Sequence, residues 1–250
     1  MMSGSLLTII LPLCVLFLVV PVYVASQYGR AGRPRPEFNY PILRTVVGVI
    51  ALCIASLSVL ATEHGVVIDS ISASYHTDGH DVFVGLLLVV SAFLLAYQGR
   101  EFEGDRLASW NRTEFVCAKI GSICVALTAL VPTSDCPFTV SQCASNVPEY
   151  VGMTLDQSGY WHAWFAGLFF TSLAIILFTF VWRAWQRGTL WSRIRALTYA
   201  VCMCGMIYAV AVFAFADIER KVFVAEAIAL ASFGAGWILA GVYDWFGDTE

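Results

Sequence analysis

Residues 160–182 read YWHAWFAGLFFTSLAIILFTFVW, a run without one Asp, Glu, Lys or Arg. As an α-helix this stretch is about 35 Å long, enough to cross the roughly 30 Å hydrocarbon core of a bilayer. Its unbroken apolar length separates it from the short alternating strands of a membrane β-barrel. Six more stretches read the same way: about 5–26, 43–62, 81–98, 114–132, 196–215 and 222–243. The expectation is an all-α bundle of seven transmembrane helices forming a single domain over 1–250.

Composition agrees. The chain is 59% hydrophobic and 13% charged, against roughly 45–50% and about 25% in average soluble domains. Mean hydropathy is +0.75. These values exclude a disordered chain, a collagen-like fibre and an ordinary soluble enzyme. A net charge of −4 argues against a nucleic-acid partner, which would need a basic face. The lipid bilayer is the expected partner, and a multi-pass position in the cell membrane the expected location. The leader MMSGS carries no Lys or Arg and precedes an apolar run too long for a typical signal peptide, so the first span reads as a retained helix.

The basic residues set an orientation. Arg30, Arg33, Arg35 and Arg44 flank the first connection, Arg100, Arg106 and Arg112 the third, and Arg183, Arg187, Arg193 and Arg195 the fifth. The second and fourth connections hold no Lys or Arg, and the sixth holds Arg220 and Lys221. The odd connections therefore face the cytoplasm, with the N-terminus outside and the C-terminus inside. Lys119, inside the fourth span, is close enough to the cytoplasmic side to snorkel. On this topology the Asn111-Arg112-Thr113 sequon lies inside, where it is silent. Cys136 and Cys143 share the long fourth, outer connection, where they either form a disulfide or stay two thiols. Ala227, Ala231 and Ala235 form a small-residue stripe read as packing inside the bundle.

The same topology gathers His64, His76, His80 and His162 on the outer side with Glu63, Asp69, Asp81 and Glu226. Glu226 is the most informative, because an acidic side chain within a span is costly and needs a partner; His162, His76 or His80 can supply it. Its bland reading is a buried bond to His or Tyr that only fixes packing. Asp81 has a bland reading too, in the first turn of the third span, where the helix dipole favours a negative charge. Segment 63–80 places Val67, Ile71 and Tyr75 at helical spacing and reads as a short helix in the outer interface. The candidate ligand or metal site is His76, Asp81, His162 and Glu226, with Ser72 and His80 as weaker members. Imidazoles and carboxylates together suit a divalent ion such as zinc, or a proton relay. No HExxH, GxSxG or phosphate-binding glycine loop occurs, which leaves the common protease, esterase and nucleotide signatures absent.

Ser70 to Thr77, Asp81 to Gly85, Ala96 to Gly99, Ala129 to Thr133, His162 with Ala166, and Glu226-Ala227 through Phe233-Gly234 and Trp237 occur in an order that resembles the DUF998 group. That group consists of uncharacterised prokaryotic-type membrane proteins with six to seven spans. The resemblance covers about 45–242 and implies a fold but no reaction. A weaker resemblance is to the seven-span hydrolases that include alkaline ceramidases. Ser72, His76 and Asp81 look like that group's first zinc motif; its second, a His-x-x-x-His pair in the last span, is absent here.

Three functions follow as expectations. The first is a membrane protein whose outer polar site binds a lipid, small ligand or ion. The alternative is a metal-dependent hydrolase of lipid-like amides or esters. The third is a proton-coupled transporter, against which stands an inner half whose spans offer only Lys119.

Overall fold

The computed structural model describes residues 40–60, 68–97, 108–137 and 139–245. The expected first span, 5–26, and Glu63, His64 and Val67 lie outside these residues. Among them every regular element is helical: α1 (Tyr40–Leu60), α2 (His80–Ala96), α3 (Ala108–Leu130), a short α4 (Val140–Ser145), α5 (Leu155–Gln186), α6 (Leu190–Phe215) and α7 (Lys221–Trp245). Five of these, α1, α3, α5, α6 and α7, are long and apolar enough to cross a membrane; α2 is apolar but has 17 residues.

The helices run past the apolar stretches that announce them. α5 starts at a capping box in which Thr154 accepts the Gln157 N–H and the Gln157 side chain accepts the Thr154 N–H. This reciprocal pairing satisfies two donors that a helix start leaves open. The helix then continues through Arg183 to Gln186, because arginine is a good helix former and nothing breaks the turn. Gly188 stops it at φ +73°, a left-handed conformation that costs glycine nothing. Thr189 at once caps α6 by accepting the Ser192 N–H.

The five long helices and α2 close into a ring. α1 packs on α2, α2 on α3, α3 on α5, α5 on α6, α6 on α7, and α7 back on α1. The interior is filled by fully buried Ile54, Leu94, Val125, Leu173, Phe233 and Trp237 among others. The outer surface of α6 exposes Leu197, Val201, Ile207, Val210 and Phe213. A contiguous apolar face of that kind is tolerated where the surrounding solvent is lipid.

α1 and α7 meet backbone to backbone. A Cβ on Gly234 would lie 2.7 Å from the Gly48 carbonyl oxygen, and a Cβ on Gly48 the same distance from that of Gly234. The contact is thus a glycine pair. The expected Ala227–Ala231–Ala235 stripe is not the buried face, since Ala231 is exposed. A helix of 3.6 residues per turn rotates a strict i+4 series off one line, and Phe233, Gly234 and Trp237 take the inward positions instead.

Candidate functional site at the bundle mouth

Helix direction brings the end of α1, the start of α2, the end of α3 and the starts of α5 and α7 to one end, the mouth. Residues 68–79 close it. They do not form the expected interfacial helix: Ser72–His76 is a single 3-10 turn, and Ile71 through His76 are buried. Serines at 70, 72 and 74 leave no lipid-facing apolar stripe, and a buried turn must have its backbone groups satisfied from elsewhere.

Glu226 supplies that satisfaction. Its Oε2 accepts the Ile71 N–H at 2.6 Å and its Oε1 accepts the Ser72 hydroxyl at 3.1 Å. The Phe223 N–H donates to the Asp69 carbonyl at 3.0 Å. The partners of Glu226 are therefore the turn itself and not a histidine. The carboxylate sits where a helix N-cap would, since two early groups of the turn point to it.

The two buried histidines meet the chain leaving α3. His76 donates Nε2–H to the Thr133 carbonyl at 2.8 Å, and His162 donates Nδ1–H to the Val131 carbonyl at 2.6 Å, in the tautomers those acceptors require. These carbonyls flank Pro132, just beyond the C-terminus of α3, where acceptors lack intrahelical partners. This irregular segment is pressed onto α5 at Gly159, whose Cβ would lie 2.7 Å from the Ser134 nitrogen. His162 follows three residues later on the same face. The second nitrogen of each ring, His76 Nδ1 and His162 Nε2, is buried without a hydrogen-bond partner.

Asp135, which sequence reasoning did not single out, lies within electrostatic reach of His76, His162 and Glu226. Burial holds the His76 imidazole below its usual range, and nearby His80 adds to this, while its bond to Thr133 and the Asp135 charge oppose it. His80 borders the buried group, its ring 4.6 Å from that of Tyr75, and Asp81 turns outward. They pair with each other at 3.1 Å, and the Asp81 side chain is fully exposed. Cys136 and Cys143 are joined as a disulfide, with Cα atoms 5.9 Å apart, in the connection between α3 and α5.

Below Glu226 a cleft of about 30 Å³ opens between the helices, lined by Glu226, Ser72 and Thr128 and by apolar Ile54, Phe83 and Phe169 among others. Among the described residues, no group of three or more His, Cys, Asp or Glu side chains is arranged to hold a metal ion. His76 and His162 spend one nitrogen each on a carbonyl, Glu226 binds the turn, and Asp81 faces outward, so this donor set does not fit a zinc centre as placed.

The opposite end also carries buried charge. Glu114 pairs with Arg183 at 2.7 Å and with Arg44 at 3.8 Å, and it accepts from the Tyr97 hydroxyl. Arg44 donates to the same hydroxyl at 2.6 Å. Lys119 does not snorkel. It is 2% exposed and donates to the Leu95 and Tyr97 carbonyls, the open acceptors at the end of α2. This half of the bundle thus holds Glu114, Arg44 and Arg183 besides Lys119. The rule that flagged Glu226 flags Glu114 too, once its helix is known to begin at Ala108.

The model of the family described as "Protein of unknown function (DUF998)" matches residues 45–226. The chain belongs to this family. The match covers more than half of the chain and includes His76, Asp81, His162 and Glu226. No curated protein and no solved structure matches. The similarity to alkaline ceramidases is not shown. Of the residues it rested on, Ser72 bonds Glu226, His76 bonds Thr133 and Asp81 is exposed. Family and apolar helices together make this a membrane protein.

Proposed function

We propose that this DUF998 member is a single seven-span domain of the cell membrane, N-terminus outside and C-terminus inside, whose outer mouth binds a small amphiphile. The apolar run 5–26 would be the seventh span beside the six helices of the ring. Arg44, Arg183, Arg187, Arg193 and Arg195 gather at one end of the ring, which supports placing that end in the cytoplasm. The histidine-bearing mouth then faces out.

One observation carries the binding reading: the Glu226 carboxylate forms part of the wall of an otherwise mainly apolar cleft. A carboxylate has about four lone-pair sites, and the Ile71 N–H, the Ser72 hydroxyl and the Ser72 N–H take three, leaving one for a ligand's hydroxyl or ammonium group. Phe83, Phe169 and Ile54 suit an alkyl segment. At about 30 Å³ the cleft exceeds the roughly 10–15 Å³ that one water needs but is far below a ligand-sized pocket. Binding therefore includes an outward shift of segment 68–79.

The test is mass spectrometry of lipids extracted from the purified full-length protein, compared with Glu226→Gln and with Phe170→Trp, a change at another residue of the cleft wall that fills the cleft and keeps the carboxylate. A co-purifying amphiphile reduced in both variants is expected. Equal extracts from all three overturn the reading. Metal analysis in parallel separates the hydrolase alternative: stoichiometric zinc, lost in His76→Ala, would favour it. The transporter reading gains the inner Glu114 group, yet that carboxylate is held by two guanidinium groups, which favours a fixed ion pair over a proton carrier.

A further inference from the structure

Two imidazoles clip the mouth in series. His76, on the turn Ser72–His76, donates to the Thr133 carbonyl at 2.8 Å, and His162, on α5, donates to the Val131 carbonyl at 2.6 Å. The turn is thereby tied to α5 through the chain at 131–133, separately from its tie to α7 at Glu226. Ile71 and Ser72 of the same segment form part of the cleft wall, so lifting the segment uncovers the cleft.

Both rings are buried, at 4% and 3% exposure. The nitrogen that each does not spend on a carbonyl, His76 Nδ1 or His162 Nε2, lies in the interior without a hydrogen-bond partner. In a neutral ring that nitrogen is an acceptor; protonation makes it a donor and adds a positive charge. A buried charge without a bonding partner costs far more than a buried neutral polar group. The ring regains water only by leaving its place, and leaving breaks the carbonyl clip.

The charged neighbours offset this only in part. Asp135, half-buried on the clipped segment, attracts both rings, whereas His80 of α2 repels His76 and His76 repels His162. Asp81 of α2 pairs with His80 and faces outward. On α7 the Glu226 carboxylate is engaged by Ile71 and Ser72, and on α5 Asp156 is exposed. The charges of α1 and α3, namely Arg44, Arg112, Glu114 and Lys119, lie toward the opposite end of the bundle.

We propose that His76 and His162 form a proton-operated latch: neutral rings hold segments 68–79 and 131–135 together over the cleft, and protonation of the pair in mildly acidic surroundings releases them. Imidazole is the side chain whose ordinary titration falls between pH 5 and 8. Two clips in series take up two protons on release and respond more steeply than one. The use of the latch as a gate to the cleft rests on the amphiphile reading above. The latch itself is read without added ligand, so equal lipid extracts would overturn that reading and leave the latch standing.

The experiment is amide hydrogen exchange on the full-length protein in detergent at pH 7.5 and 5.5, each rate divided by the intrinsic rate at that pH. An imidazole that is neutral when clipped and titrates near about 6.5 once released makes opening about tenfold more favourable over this range, and a pair up to about a hundredfold. Protection within 68–79 and 131–135 is therefore expected to fall by about tenfold or more in the wild type while α6 keeps its own. His76→Gln and His162→Gln keep an amide donor for the carbonyl and cannot titrate. Each should respond less than the wild type, and the double variant should be nearly flat. His80→Gln leaves both clips in place and should still respond. Unchanged protection in the wild type, or an equal loss across α6, overturns the latch whether or not a variant folds. A double variant as pH-sensitive as the wild type assigns the response to another group and overturns it too, as does a His80→Gln protein that no longer responds.

Discussion

Replacing Glu226 with alanine removes the acceptor that holds the mouth segment against α7. The wild-type carboxylate takes the Ile71 N–H at 2.6 Å and the Ser72 hydroxyl at 3.1 Å. Ile71 is 2% exposed, so without Glu226 its N–H is a buried donor facing no acceptor. A buried polar group left in that state costs about 1–3 kcal/mol. The Ser72 hydroxyl can rotate to another acceptor, so its loss stays at the low end, about 1 kcal/mol. The sum is about 2–4 kcal/mol, while the Phe223–Asp69 backbone bond still ties the segment to α7. The cost falls on a local opening of segment 68–79, not on the ring, because the ring's interior packing does not involve the carboxylate. Amide hydrogen exchange on the full-length protein in detergent at pH 7 reads it directly. Exchange within 68–79 should accelerate about 30- to 700-fold in Glu226→Ala while α6 keeps its protection. Glu226→Gln keeps one acceptor oxygen and should show a clearly smaller change. Unaltered protection of 68–79 in the alanine variant, or a glutamine variant as open as the alanine one, would refute the anchoring role.

Gly234→Val places a Cβ 2.7 Å from the Gly48 carbonyl oxygen; overpacking of this kind costs about 1–3 kcal/mol, and an unchanged Tm in detergent would mean that α1 and α7 do not cross there. Thiol alkylation without reductant should leave Cys136 and Cys143 unmodified, and Cys136→Ser should lower stability by about 2 kcal/mol, the loop-closure value for so short a ring; free thiols at both positions would contradict the disulfide. Burial holds His76 below its ordinary value of 6.5 in the folded protein. Above 6.5 both folded and unfolded chains carry it neutral and its stabilisation is complete; as pH falls below 6.5 the unfolded chain takes up the proton first and stability is lost. Tm should therefore fall less steeply between pH 7.5 and 5.5 in His76→Gln than in the wild type, and parallel curves would exclude this contribution.

How far the sequence carried the fold is clearest at α5 and α6. Residues 160–182 announce a span by hydropathy alone, yet the helix begins at Leu155 and ends at Gln186. Hydropathy reports the lipid-facing length, whereas helix ends depend on caps such as Thr154 and Thr189 and on Gly188. The site was partly legible. His76, His162 and Glu226 do share one end of the bundle and lie with Asp135. The expectation that Glu226 meets a histidine failed because the nearest donors belong to the backbone and hydroxyl of a turn, and a backbone donor carries no sequence signal. Lys119 was misread for a related reason: a lone lysine in a span can reach toward water or cap a neighbouring helix, and only the position of α2 decides between them.

Low charge had already determined a membrane protein of apolar helices, and the placement of arginines and histidines separated two chemically different ends. Those conclusions rest on transfer free energy and on counting charge along the chain, both properties of the sequence itself. Which groups touch was decided only when six helices closed into a ring. Gly48 met Gly234, Glu226 met the turn at Ile71, and Arg44, Arg183 and Glu114 met from three separate helices. Hydrogen bonds and ion pairs act over a few ångströms, and residues separated by about 70 to 190 positions come that close only through the tertiary packing that orients each helix.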